Sequence, residues 1–296
     1  MKNCSCLILL VLNTIFNNIK FIDWNFVQIR IFSYSQLIIE ILGGVNITLK
    51  NLFDNYEEFE EIILENKENM VDLDDMDLTP TMYMLLMMYD KIPDNPPGLN
   101  LTDLPNSKEN QQNVNFIENI IQNLNLEYGG SFVLRHILSE LTYNIHEHAF
   151  NSNQKTEACI YIKEDFEEEK LEISILDFGL SIPGRFDKSG VEYYDDCNAI
   201  EKAINNFSTA STNPYERGNG LWTTIRLIVE GNGGEILIVS RRGLLFIDAD
   251  EYKYRLLGNG KIFKGTLISI KLNKHEVQNI YDLIELPKTN FYRYGG

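Results

Sequence analysis

The chain has 296 residues, 44% of them hydrophobic, which is enough for a sizeable core and too apolar for a disordered protein. Its formal charge of −17 repels phosphate backbones and anionic lipid, so neither direct nucleic-acid binding nor docking on a membrane through a basic patch is expected. A protein or small-molecule partner suits that charge.

Cys4, Cys6, Cys159 and Cys197 form no spaced framework, which favours free thiols in a reducing, cytoplasmic setting. The run "CLILLVL" (6–12) resembles a signal-peptide core. However, Asn13, Asn17 and Asn18 interrupt it, well short of the roughly 20 apolar residues of a spanning helix. No small-residue cleavage site follows, and the first alanine is Ala149. A buried strand or helix is expected there, within a mixed α/β N-terminal domain over 1–95.

The acidic segment 53–77 reads as a solvated helix followed by a short strand. Residues 79–92 read as a helix with Thr79 as N-cap and Pro80 at its first position. Its Met/Leu stripe suits a core better than a ligand site. Residues 93–113 break every periodicity, so 96–113 is expected to be a linker.

Helices are expected at 114–124 and 131–149. Strands follow at 158–164, 171–178, 234–240, 244–250, 252–257 and 266–272. Residues 217–234 read as a helix closed by Gly231, with Asn232-Gly233 as the turn after it. Helices separating groups of adjacent strands predict an α+β, two-layer α/β sandwich over 114–275, with a tail at 276–296.

The helix at 131–149 carries "SELTYNIHEHAF" (139–150). At about 100° per residue, His136, Glu140, Asn144, Glu147 and His148 share one face, opposite Leu134, Leu138, Leu141 and Ile145. A charged outer face of a surface helix would look the same. Zinc is disfavoured, because His136 and His148 lie about 18 Å apart along the axis and His146 points away from His148 by about 160°. Glu140 and Asn144 stand one turn apart. An amide oxygen beside a carboxylate suits a Mg²⁺ that keeps waters and shares nucleotide phosphates, leaving Glu140 to orient or deprotonate an attacking hydroxyl.

Three further motifs follow in order. "LDFGLSIPG" (176–184) ends an apolar strand with Asp177-x-Gly179. "ERGNGLWTTIRLIV" (216–229) sets Gly218-x-Gly220 at the mouth of a helix. "FKGTLISI" (263–270) opens a strand with Gly265-Thr266. Neither "GNGK" (258–261) nor Gly218-x-Gly220 completes a P-loop or dinucleotide fingerprint.

With Glu140-x3-Asn144-x3-His148 ahead of them, these motifs resemble the N, G1, G2 and G3 boxes of the GHKL superfamily of ATP-binding domains. That superfamily includes gyrase B, MutL, heat-shock chaperones, histidine kinases and anti-sigma-factor kinases. The likeness covers roughly 112–272 and implies a Bergerat-type fold with ATP and Mg as cofactors.

It further implies that Asp177 accepts from the adenine amino group and that Gly179 lets the backbone pass the base. Ile182 would pack on that base, and Thr266 would hold a water beside it. Gly218, Gly220 and Leu221 would cradle phosphate at a helix N-terminus, with Arg217 and His148 as phosphate-side neighbours and Asn144 as the Mg ligand. Ser181 stands where the family has a second G1 glycine, so a different local loop is expected, since serine does not enter positive φ freely. Residues 185–216 look like the family's lid: polar and mobile, with a short helix at "AIEKAI" (199–204).

No histidine precedes His136, which argues against phospho-acceptance on an upstream helix. Only 24 residues follow Leu272, too few for a transducer domain. The pattern is most similar to anti-sigma-factor serine kinases, with Glu140 as the catalytic residue and a partner protein, STAS-like or a regulatory factor, as substrate; homodimerisation is compatible with it. Residues 70–92 bear a slight likeness to the STAS strand-then-helix unit. The alternatives are an ATP-gated interaction switch without phosphoryl transfer, and a slow ATPase.

Overall fold

Successive side chains of a strand face opposite ways, and the apolar runs of this chain are long enough to fill both faces. In "EILIVS", Ile236 and Ile238 belong to one core cluster while Leu237 and Val239 belong to another. In "GLLFI", Leu245 and Ile247 join the first cluster, and Leu244 and Phe246 the second. A sheet buried on both faces needs two covering layers.

The computed structural model describes residues 48–65, 78–89, 99–100, 111–149, 158–205, 220–258 and 262–284. The reading of 6–12 and the strand expected before residue 78 lie outside these, as does the expected tail beyond 284. The N-terminal helices are α1 (Leu49–Asp54), α2 (Tyr56–Glu65) and α3 (Pro80–Met88). Then come β1 (Leu99–Asn100), α4 (Gln111–Ile121), α5 (Ser131–Asn144), β2 (Ala158–Asp165), β3 (Lys170–Asp177), α6 (Ile182–Ser189) and α7 (Asp196–Ile204). The chain continues through α8 (Gly220–Arg226), β4 (Glu235–Arg241), β5 (Gly243–Ile247), β6 (Tyr252–Leu256), β7 (Phe263–Asn273) and α9 (Ile280–Ile284).

The strands form one antiparallel sheet ordered β1-β2-β3-β7-β4-β5-β6. The six strands expected between 158 and 272 are present, within a few residues at their ends. Among the described residues, no helix is long and apolar enough to cross a membrane.

On one face, α4, α5, α7 and α8 bury Ile117, Leu134, Ile137, Leu141, Ile200 and Ile225 against Ile173, Ile236 and Ile270. This is the expected sandwich. The other face carries a third layer absent from the sequence reading. There Leu52, Phe53, Met82 and Leu85 of α1 and α3 pack on Leu176, Leu237, Phe246 and Leu267. Thr79 caps α3 by accepting from Met82 N at 3.3 Å, with Pro80 at the first position, as the sequence predicts. Nearly all of α3 is buried, which explains why its apolar residues show no amphipathic stripe. Leu99 and Asn100 pair with Ile160 and Cys159, inside the stretch read as a linker.

A row of alternating charge holds α3 in place. Lys163, Glu172, Lys271 and Glu235 are directly opposed across β2, β3, β7 and β4. Glu172 Oε1 accepts from the backbone N of Thr81 at 2.7 Å, Lys271 Nζ lies 3.5 Å from Glu172 Oε2, and Lys163 Nζ donates to Leu78 O at 3.3 Å. The Glu172 carboxylate thus meets the first turn of α3, where an anion suits the helix dipole. Beside it, Thr81, Ser174 and Ser269 share hydroxyl hydrogen bonds of 3.1 and 3.0 Å.

Candidate functional site

The helical face of the sheet ends in a polar row. Asp177 of β3 stands opposite Thr266 of β7, and Thr266 stands opposite Ser240 of β4. Asp177 is 5% exposed. Burial pushes its carboxyl up to about 7, against two backbone hydrogen bonds, from Gly179 and Thr266, that pull it down. The Gly179 N donates to Oδ1 at 2.9 Å. A β-carbon at Gly265 would overlap the carbonyl of Asp177, so glycine is what lets β7 close on the end of β3.

After Gly179 the chain turns directly into α6. Ser181 sits at φ −62°, ψ 166°, and its Oγ accepts from Gly184 N at 3.0 Å. It is the N-cap of α6. At this φ the serine carries no backbone strain. Ile182 is half-buried and packs on the first core cluster, while its N donates to Ser240 Oγ at 2.9 Å.

Glu140 and Asn144 are half-buried on α5. The carboxylate of Glu140 lies against Gly220, the first residue of α8, where any β-carbon would overlap Oε2. Leu221 is buried behind it. From Ile145 to Ala149 the helix widens into a π turn, so a projection at 100° per residue fails past Asn144. His148 lies in that turn. His146 is 3% exposed, and burial holds its imidazole below the usual histidine range. The structure therefore brings together Asp177, Gly179, Ile182 and Thr266 at one end of the sheet, and Glu140 with Gly220 and Leu221 at the α5–α8 junction. Arg217 and Gly218 lie outside the described residues.

The segment expected to be a mobile lid is in part well packed. Residues 185–205 hold most of α6 and all of α7, with Cys197, Ala199 and Ile200 fully buried. The helix expected at 199–204 is present as the end of α7. An arginine missed by the sequence reading ties both helices to the sheet. Arg241, the last residue of β4, at φ 54°, donates to Tyr193 Oη at 2.9 Å and pairs with Asp187 of α6 at 2.9 Å and Asp196 of α7 at 3.7 Å. Its positive φ is a local strain in a non-glycine residue beside the site. Ser240 was missed too. Its signal was a hydroxyl closing the apolar run of β4 in phase with Ile236 and Ile238.

No family model matches the chain, and no curated protein matches it. Among solved structures it is similar to the histidine kinase domain of the blue-light activated histidine kinase of Erythrobacter litoralis EL346. That likeness has a TM-score of 0.30 and 14% identity, over 85% of this chain and 95% of that chain. So distant a likeness decides neither family nor activity.

Proposed function

We propose that this chain is a Mg-ATP-binding regulatory protein that transfers phosphoryl groups to serine or threonine of a partner protein. The observation that carries the reading is Asp177. A buried carboxyl at a strand end, approached by Gly179 and paired with Thr266, is a discriminating acceptor for an exocyclic amino group such as that of adenine. Gly220 at the start of α8 and Glu140 against it offer a place for phosphates and a carboxylate to orient an incoming hydroxyl. Asn144, one turn from Glu140, supplies an amide oxygen suited to a hydrated magnesium ion shared with phosphate oxygens. Bound magnesium would neutralise charge on the transferring group.

The test has two stages. ATP with Mg²⁺ should raise the melting temperature, and Asp177→Asn or Asn144→Ala should remove most of that rise; no effect of either substitution sinks the nucleotide reading. With γ-labelled ATP and the products of adjacent genes, label should appear on a partner serine or threonine and disappear in Glu140→Ala. ATP binding without transfer would instead support a nucleotide-gated interaction switch. That second reading is favoured by one arrangement: β3 ends in Asp177 on one face and holds α3 through Glu172 on the other.

A further inference from the structure

Ser240 is fully buried, and its hydroxyl meets two groups. It accepts from the backbone N of Ile182 at 2.9 Å, and it lies 3.1 Å from Thr266 Oγ1. The first bond has a fixed direction, because an amide N–H can only donate. The Ser240 proton must then find an acceptor, and among the described residues Thr266 Oγ1 is the acceptor within reach. If Thr266 donated instead, the serine proton would be buried with no partner, the costly arrangement. The relay therefore runs from Ile182 N–H to Ser240 Oγ–H to Thr266 Oγ1, and the Thr266 proton is turned away from Ser240. Thr266 keeps 8% exposure and stands opposite Asp177, which leaves the side of the carboxyl open to that proton.

We infer that Ser240 is a positioning residue that holds the Thr266 hydroxyl as a donor toward the ligand, so that the pocket reads an acceptor beside an amino group. This rests on the adenine reading of Asp177. In adenine the 6-amino group is flanked by two ring acceptors, N1 and N7. A carboxylate for the amino group and a hydroxyl donor for the neighbouring nitrogen, directly or through one water, match that pair. A base carrying a 6-carbonyl opposes the carboxylate, and its N1–H opposes the hydroxyl donor as well where N1 is the nitrogen read. The specificity therefore depends on a serine two strands away from Asp177.

The test compares ATP with 1-deaza-ATP and 7-deaza-ATP by calorimetry in the full chain. These analogues keep the amino group and remove one ring acceptor each. The wild type should bind one of them roughly tenfold more weakly than ATP, and the analogue that suffers names the nitrogen. In Ser240→Ala the Thr266 hydroxyl is free to rotate, so that ratio should fall several-fold; Thr266→Val should abolish it. The double variant should match Thr266→Val within about twofold, since Ser240 acts only through Thr266. Should Ser240→Ala fail to fold, Ser240→Cys keeps the volume with a weak donor and should lower the ratio likewise.

An unchanged ratio in the Ser240 variants overturns the inference, as does additivity in the double variant. Equal binding of all three nucleotides by the wild type also overturns it while leaving the ATP site intact. A wild type that binds none of them removes the adenine reading and this inference together.

Discussion

The carboxylate of Glu140 and the α-carbon of Gly220 are in direct contact, so no side chain fits at 220 without expelling the acid. Gly220 opens α8, where alanine would ordinarily favour the helix. Here the acid is displaced instead. Gly220→Ala is therefore expected to copy Glu140→Gln: phosphoryl transfer down by roughly 100-fold or more. Single-turnover assays with γ-labelled ATP check this, and unimpaired transfer in Gly220→Ala would remove Glu140 from the reaction.

Asp177 makes stability and binding depend on pH in opposite ways. Its carboxyl ionises at 3.8 when unperturbed and at about 7 when folded. Between those values the folded chain keeps a proton that the unfolded chain has released, so this group's contribution to stability falls as pH rises through that window. Asp177→Asn should raise the melting temperature of the ligand-free protein at about pH 8 and leave it nearly unchanged at about pH 4. The ATP-induced rise should meanwhile vanish, and in the wild type it should shrink as pH falls below about 7. Thermal scans across pH with and without Mg-ATP read both effects.

Gly265 is set by backbone, because a β-carbon there meets the carbonyl of Asp177 and the α-carbon of Phe178. Gly265→Ala should part β7 from the end of β3 and cost about 2 kcal/mol or more in urea unfolding. Since Thr266 follows directly, the nucleotide response should be lost with it. A variant of wild-type stability would contradict this packing.

Lys271 and Glu172 are 3% and 4% exposed and share the row beneath α3. Lys271→Met leaves Glu172 and Glu235 facing each other without the cation between them, and should cost about 3 to 5 kcal/mol. Adding Glu172→Gln should recover part of that loss. Chemical denaturation of the single and double variants measures the coupling.

Much of this was legible in the sequence, for physical reasons that differ by element. The strands announced themselves through dense β-branched and aliphatic runs, and α3 through Thr79 and Pro80, because capping and periodicity are local. The third layer was not legible as such. Leu237 and Phe246 face away from Ile236 and Ile247, and a run apolar on both sides signals a second cover without naming what supplies it. The placement of Asp177 at the end of a strand was readable. The surroundings of Ser240 were not, since they exist only through register with Thr266 and through Ile182 N, 58 residues away in sequence. The π turn at Ile145–Ala149 likewise has no periodic signature.

The charged row that seats α3 also orders events during synthesis. Thr81 leaves the ribosome 91 residues before its acceptor Glu172, and α1 presents the Phe53 carbonyl 202 residues before Arg255 arrives to bind it. At roughly 5 to 20 residues per second, α1 waits about 10 to 40 seconds for that partner. Throughout that interval Leu52, Phe53, Met82 and Leu85 have no complete sheet to cover, because β7, which joins β3 to β4, is made after Arg255. Helices α1 and α3 are thus made well before the sheet that buries them is complete, and in that interval their apolar faces are a substrate for nascent-chain chaperones.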